Sequence, residues 1–205
     1  MKYFIDTEFI EGFHKPLFGK KRHFIDLISI GIKCEDGREY YAISNEFNPK
    51  DANQWVKDNV LSKLGNRYQL KFGKYEIDTW KSNQQIKEDI IEFCSSKKKR
   101  YSRYGKYTLN APEFYGYYSD YDWVLFCSLF GTMMDLPEGF PMYCRDLKQS
   151  MDEAIKKWSP EGNLNNPELI NCFKQLKGFP TQEDEHNALS DAKWNEKLYN
   201  FLKTF

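Results

Sequence analysis

Apolar positions recur along this chain with two different periods, and the changes of period mark out its elements. Residues 2–10 (KYFIDTEFI), 24–34 (FIDLISIGIKC) and 38–47 (REYYAISNEF) are rich in aromatic and β-branched types, which predicts three strands. The turn "EDG" joins the last two, and a loop with Pro16 and Gly19 precedes them, so the opening reads as a meander. Asn48-Pro49 breaks the run, and the period then becomes helical. Trp55, Val56, Val60, Leu61 and Leu64 share that spacing within 51–64. Ile86, Ile90, Ile91 and Cys94 form an apolar stripe within 82–95, with Ser82 placed to cap it.

Further on, the pattern predicts a strand at 112–118, a helix over 120–131 ending at Gly131, a short strand at 140–145 and a helix at 146–157. Residues 159–182 are looser, with Pro160, Gly162, Pro167 and Pro180, and hold one short helix at 167–176. A closing helix spans 187–203. Three strands followed by alternating helices and strands predict an α/β fold: a central mixed sheet flanked by helices. Nothing in the pattern divides the chain, so 1–205 is expected to form a single domain.

Composition narrows the function classes. The chain has 205 residues, 40% hydrophobic and 17% aromatic, which supplies a packed core and argues against disorder. Thirty basic and 30 acidic residues cancel, so attraction to nucleic acid has to come from local patches. Five scattered cysteines without a C-x-x-C pair argue against a disulfide framework or a zinc site. The charged N-terminus does not read as a secretory signal, and no apolar stretch approaches the ~18–20 residues of a membrane span. A soluble, cytoplasmic protein is expected.

The opening strand carries an anomaly. Asp6 and Glu8 stand two apart in FIDTEF, so they point the same way, roughly 6.5–7 Å apart along the chain. Side by side in water-poor surroundings they repel, and a divalent cation with a taste for hard oxygen ligands reverses that cost. A polar strand face in water gives the same pattern, so this pair alone decides nothing. Asp122 opens the apolar helix DWVLFCSLF just after a predicted strand, at the edge where α/β sheets bind ligands, or serves there as a first-turn acid, and Asp120 competes for either role. Asp191 lies one turn inside the last helix between Ala188 and Ala192, which allow close packing on the sheet. His186 stands five residues before it, about 500° of helical rotation away, so the two converge only if His186 is on the loop leading in.

Taken together, YFIDTEF, YYSDYDWVLF and HNALSDA resemble, in order and spacing, the three motifs of the DEDD exonucleases, with the H-x4-D form of the DEDDh branch. The similarity is closer still to a compact bacterial group of DEDDh 3′–5′ exoribonucleases that prefer adenylate-containing RNA. It covers most of the chain and is weakest at 13–23, 97–110 and 151–182. The resemblance implies a ribonuclease H-like fold and metal-dependent hydrolysis of single-stranded RNA from its 3′ end to nucleoside 5′-monophosphates. It implies two Mg2+ ions, replaceable by Mn2+, about 3.5–4 Å apart. Asp6 then bridges both ions, Glu8 and Asp191 complete the shell of one, Asp122 supports the second, and His186 is the general base. Relatives of this kind commonly form homodimers, so a dimer is expected. Two departures touch the substrate side: Phe9-Ile10 follows D-x-E where the branch commonly has Thr or Ser, and Tyr117 or Tyr118 stands where Asn is frequent.

Phe9 and Trp123 are candidate base-stacking residues; alternation turns Phe9 away from Asp6 and Glu8, and both are equal candidates for the core. Two acid-free basic segments are candidates for the phosphate backbone. They are 14–23, with four Lys/Arg, and 97–106, with six, including Lys97, Lys98 and Arg100 beside Tyr101 and Tyr104. Each is equally readable as a solvated loop. A DNA exonuclease shares the same chemistry, and a non-catalytic nucleic-acid-binding module shares the same fold. The presence of all five motif residues argues against the second.

Overall fold

The computed structural model of the chain describes residues 1–14, 16, 18–64, 79–94 and 111–205. Strands β1 (Lys2–His14) and β2 (Arg22–Cys34) pair antiparallel out to His14 and Arg22, so the hairpin arm extends beyond the predicted ends. Strand β3 (Glu39–Ser44) pairs antiparallel with β2. Three parallel neighbours complete a six-stranded sheet of order β4-β3-β2-β1-β5-β6. These are β4 (Trp80–Lys81), β5 (Glu113–Gly116) and β6 (Arg145–Asp146). Two-residue β4 has too little pattern to be read from sequence. The strand expected at 140–145 is confined to Arg145–Asp146.

The helical stretch expected at 51–64 is broken into pieces. A 3₁₀ turn (Pro49–Asp51), helix α1 (Gln54–Asn59) and a second 3₁₀ turn (Leu61–Lys63) replace it. The cause is local: the Asn48 side chain accepts from the Lys50 N–H and that of Asn53 from the Val56 N–H, so each asparagine starts a new turn. Helix α2 (Asn83–Cys94) follows the expected cap, with Ser82 and Gln85 exchanging side-chain and backbone hydrogen bonds in a capping box. Then come α3 (Asp120–Phe130), α4 (Leu147–Trp158), α5 (Pro167–Lys174) and α6 (Ala188–Leu202).

Helices cover both faces of the sheet. On one face Tyr3, Ile5, Ile30 and Ile32 pack against Ile86 and Ile90 of α2 and Leu125 and Phe126 of α3. On the other, Phe4 and Tyr115 pack against Leu147 of α4 and Trp194 and Leu198 of α6. Each large apolar side chain buried this way contributes about 1.5–3 kcal/mol. The result is the expected α/β fold, a mixed sheet flanked by helices, consistent with an exonuclease of the ribonuclease H-like type. Among the described residues, no helix is long and apolar enough to cross a membrane.

Candidate active site

Strand β1 outruns its neighbour. It pairs with β5 only from Lys2 to Phe4, so among the described residues its edge has no strand partner on that side from Ile5 onward. Unpaired buried backbone groups are costly, and here side chains satisfy them. The Ile5 carbonyl accepts from Asn195 Nδ2 of α6 at 2.9 Å. The Thr7 N–H donates to Asp122 Oδ1 of α3 at 2.8 Å, and the Thr7 hydroxyl donates to the same oxygen at 2.6 Å. The free edge of β1 thus locks a helix on either face, and a cleft opens along it. Its lining includes Asp6, Glu8, Phe9, Asp122, His186 and Asp191.

Asp6 and Glu8 share one face, as strand alternation requires, and that face meets the start of α6. Close approach there depends on Gly31, which pairs with Asp6 on β2: a Cβ at Gly31 would lie 2.2 Å from the Ala188 carbonyl oxygen. Ala188 and Ala192, both fully buried, keep the helix against the sheet. Asp191 is carried in between them. Carboxylate oxygens of Asp6, Glu8 and Asp191 consequently lie within 4.8 Å of one another, three hard-oxygen donors that fit a divalent cation. Asp122 lies on the same cleft but outside this triplet, held by Thr7 from the opposite face.

Without a cation this arrangement is electrostatically costly. Burial pushes Asp6 far above the ordinary carboxylate range, and Asp122, Asp191 and Glu8 add to it. Burial, with Asp191 and Asp122, moves Glu8 from 4.5 up to about 8. Asp122 rises to about 6 through burial, restrained by its hydrogen bonds from Thr7. Asp191 is raised by burial and restrained by Gln182 and the His186 backbone. Each of these carboxyls binds a proton more readily than a free one, and a cation would compete with that proton.

His186 stands on the loop before α6, as convergence with Asp191 requires. Its φ of 64° is left-handed, and Asn187 caps the helix behind it. The turn brings the His186 N–H to Asp191 Oδ2 at 2.9 Å, while Gln182 Nε2 donates to Oδ1 at 2.7 Å. Lys63, from the second 3₁₀ turn, donates to the Glu185 carbonyl and pairs with Asp184, and the Trp55 ring lies edge-on to the His186 ring. Gln182, Lys63, Trp55 and Asn195 are absent from the sequence-based site. Only Asn195 left a signal: a polar residue one turn after Asp191, on the apolar stripe that Leu198 continues.

The aromatic candidates divide. Phe9 is on the α3 face, as alternation predicts, yet it borders the cleft because the cleft wraps around the edge of β1. It stacks on Tyr121, whose hydroxyl donates to Glu11. Trp123 is a correction: it is only 8% exposed, lies outside the cleft lining, stacks on Phe126 in the core and donates its Nε1 to the Met142 carbonyl. Trp123 shares the buried apolar face of α3 with Phe126 and Phe130, while Asp122 beside it is held by Thr7. Of Tyr117 and Tyr118, the second has the left-handed φ of 55° that Asn tolerates. Lys97, Lys98 and Arg100 lie outside the described residues. The described part of 14–23 lies at the tip of the β1–β2 arm, where Lys21 sits over the Phe13 ring.

No family model matches the chain. Two 3′–5′ exoribonucleases, from two strains of Mycobacterium tuberculosis, are each 35% identical to it over 193 residues, which covers 94% of this chain and 88% of theirs. At that identity and coverage, with D-x-E and H-x4-D residues converging on one cleft, the chain belongs to the family of these 3′–5′ exoribonucleases.

Proposed function

We propose that the chain is a DEDDh-type 3′–5′ exoribonuclease that uses two divalent cations, Mg2+ or Mn2+, to shorten single-stranded RNA, with adenylate-rich strands preferred. The observation that carries the reading is the Asp6–Glu8–Asp191 triplet, with ligand oxygens within 4.8 Å, on the cleft that also holds Asp122 and His186. The names of the relatives favour RNA over the DNA alternative. The adenylate preference rests on the resemblance of the motifs.

Asp6, Glu8, Asp191 and Asp122 would hold the cations. Bound there, the cations would supply charge stabilisation at the phosphate and a more acidic attacking water. The residues of the chain do the rest. His186 takes the proton of that water as its oxygen attacks phosphorus. The bond from phosphorus to the 3′ oxygen breaks, the 3′ oxygen takes a proton from solvent and stays with the shortened strand as a hydroxyl, and a nucleoside 5′-monophosphate leaves. Asp191 accepts from the His186 N–H, so one hydrogen bond would tie a cation ligand to the loop that carries the proton acceptor. Phe9, backed by Tyr121, offers a ring at the cleft wall on which an unpaired base stacks, a contact worth about 1–3 kcal/mol and open only to single strands. The basic segments 14–23 and 97–106 would track the phosphates.

The test is incubation with Mg2+ and 5′-labelled poly(A), poly(U) and single-stranded DNA of equal length. Stepwise shortening from the 3′ end, fastest on poly(A), is expected. Shortening of DNA in preference to RNA would overturn the substrate assignment.

A further inference from the structure

We propose that Tyr118 is a second nucleobase-stacking subsite of the cleft, separate from Phe9, and that the two rings take the bases on either side of the cleaved bond. The proposal rests on the nuclease reading above and extends it to a residue that reading does not use.

Tyr118 is placed at an energetic cost. A bulky aromatic residue at φ 55° is a backbone outlier of order 1 kcal/mol, which persists only where its surroundings over-determine it. They do so here. The next residue, Ser119, donates its N–H to Asp146 Oδ2 at 2.9 Å and accepts from the Trp123 N–H at 2.9 Å. On the other side Tyr117 is half-buried, edge-on to Trp194 with centroids 5.2 Å apart. The chain is therefore fixed before and after Tyr118, and the turn carries its ring outward.

The ring is presented rather than packed. It lines the cleft that contains Asp6, Glu8 and Asp191, yet 63% of the residue is exposed. Tyr117 meets it edge-on at 4.8 Å, and the Lys148 ammonium lies 5.8 Å from its centroid. Lys148 is in turn held by Asp152, one helical turn along α4. The ring is thus braced by a neighbouring ring and by a cation, with much of its surface open to the cleft.

Charge decides which part of a nucleotide fits. Asp152 neutralises Lys148, and Asp146 stands at the adjacent Ser119. The surroundings are net acidic, so a phosphate is repelled and an uncharged, flat base is accepted. Phe9 lies on β1 and Tyr118 just past the end of the neighbouring strand β5, and both line the cleft that holds the acids. Two separate rings on the cleft that holds the acids offer one surface for each of two successive bases.

The experiment uses the full chain with Mg2+ and a 5′-labelled oligoadenylate, compared with oligomers abasic at the last or at the second-to-last position. Tyr118→Gly keeps the left-handed backbone without strain, and Tyr118→Phe keeps the ring; circular dichroism and the thermal midpoint check that both fold. On the intact oligomer Tyr118→Gly should raise KM about tenfold or more, a larger change than in kcat, while Tyr118→Phe matches wild type. On one of the two abasic oligomers, wild type and Tyr118→Gly should become equal. A Tyr118→Gly defect of the same size on all three oligomers, or none on the intact one, would overturn the proposal. A second readout does not need catalysis: quenching of 2-aminopurine placed at either position, measured in EDTA. Tyr118→Gly should lose the quench at one position only, and retention at both would overturn the subsite. A wild-type chain that shortens no oligomer yet quenches in this way fails the nuclease reading and keeps the subsite.

Discussion

The cluster of carboxyls should make the metal-free protein lose stability as pH rises, in a range where acid-rich proteins ordinarily gain it. Glu8 is the clearest case, moved from 4.5 to about 8 by burial and by Asp191 and Asp122. A carboxyl whose pKa is raised on folding holds its proton in the native state and loses it in the unfolded chain. Between those two values the unfolded state binds fewer protons, so unfolding becomes more favourable with each step up in pH. The full contribution of Glu8 is present below 4.5 and is lost by the time pH passes about 8. At about 1.4 kcal/mol per pH unit, that is a loss of roughly 5 kcal/mol from this residue. Asp6, Asp122 and Asp191 are all raised and act with the same sign. Carboxyls held low, such as Glu39 and Asp135, act only at more acid pH and do not mask the effect. Urea unfolding in EDTA, repeated from pH 5 to pH 8, measures it. Stability should fall throughout. Excess Mg2+ should stabilise most at the alkaline end, where the cation displaces the fewest protons. Glu8→Gln should flatten the metal-free slope by about one proton, roughly 1.4 kcal/mol per pH unit. A metal-free stability that is flat or rising over this range would refute the electrostatic account of the cluster.

Three further outcomes follow from particular contacts. His186→Ala keeps the backbone N–H that Asp191 accepts, so Mn2+ affinity by titration calorimetry should be nearly unchanged while turnover falls about a hundredfold or more; near-normal turnover removes His186 as the base. Thr7→Val deletes the 2.6 Å bond to Asp122 and should lower activity or metal affinity about 10–100-fold, which a Mg2+ titration of the rate would read. Gly31→Ala forces a Cβ to within 2.2 Å of the Ala188 carbonyl, so α6 must shift; a stability loss of about 1–3 kcal/mol together with a large loss of activity is expected in melts and rate assays, and an unaffected enzyme would contradict the close approach.

What the chain reveals before folding depends on how local the physics is. Strand alternation put Asp6 and Glu8 on one face, and the small residues beside Asp191 announced a helix that could approach it. Caps such as Ser82, and the placement of His186 on a loop, follow from rules that span a few residues. The rest needed contacts between distant segments. Nothing near Gly31 says that it lies opposite Asp6 and under Ala188. Nothing near Gln182 or Lys63 says that they hold Asp191 and the loop of His186. Trp123 stayed open because an aromatic next to a catalytic candidate reads as a substrate contact and as core alike. The cluster it joins with Phe126 and Phe130, built from distant segments, decides for the core. Phe9 combined both readings, packed against the core and bordering the cleft, because β1 has a free edge there.

The most direct test of the central claim compares wild type with Asp6→Asn on one 5′-labelled single-stranded RNA, with Mg2+ and with EDTA. The account predicts stepwise loss of 3′ nucleotides only for wild type with Mg2+. Shortening by Asp6→Asn, or by wild type in EDTA, would contradict it.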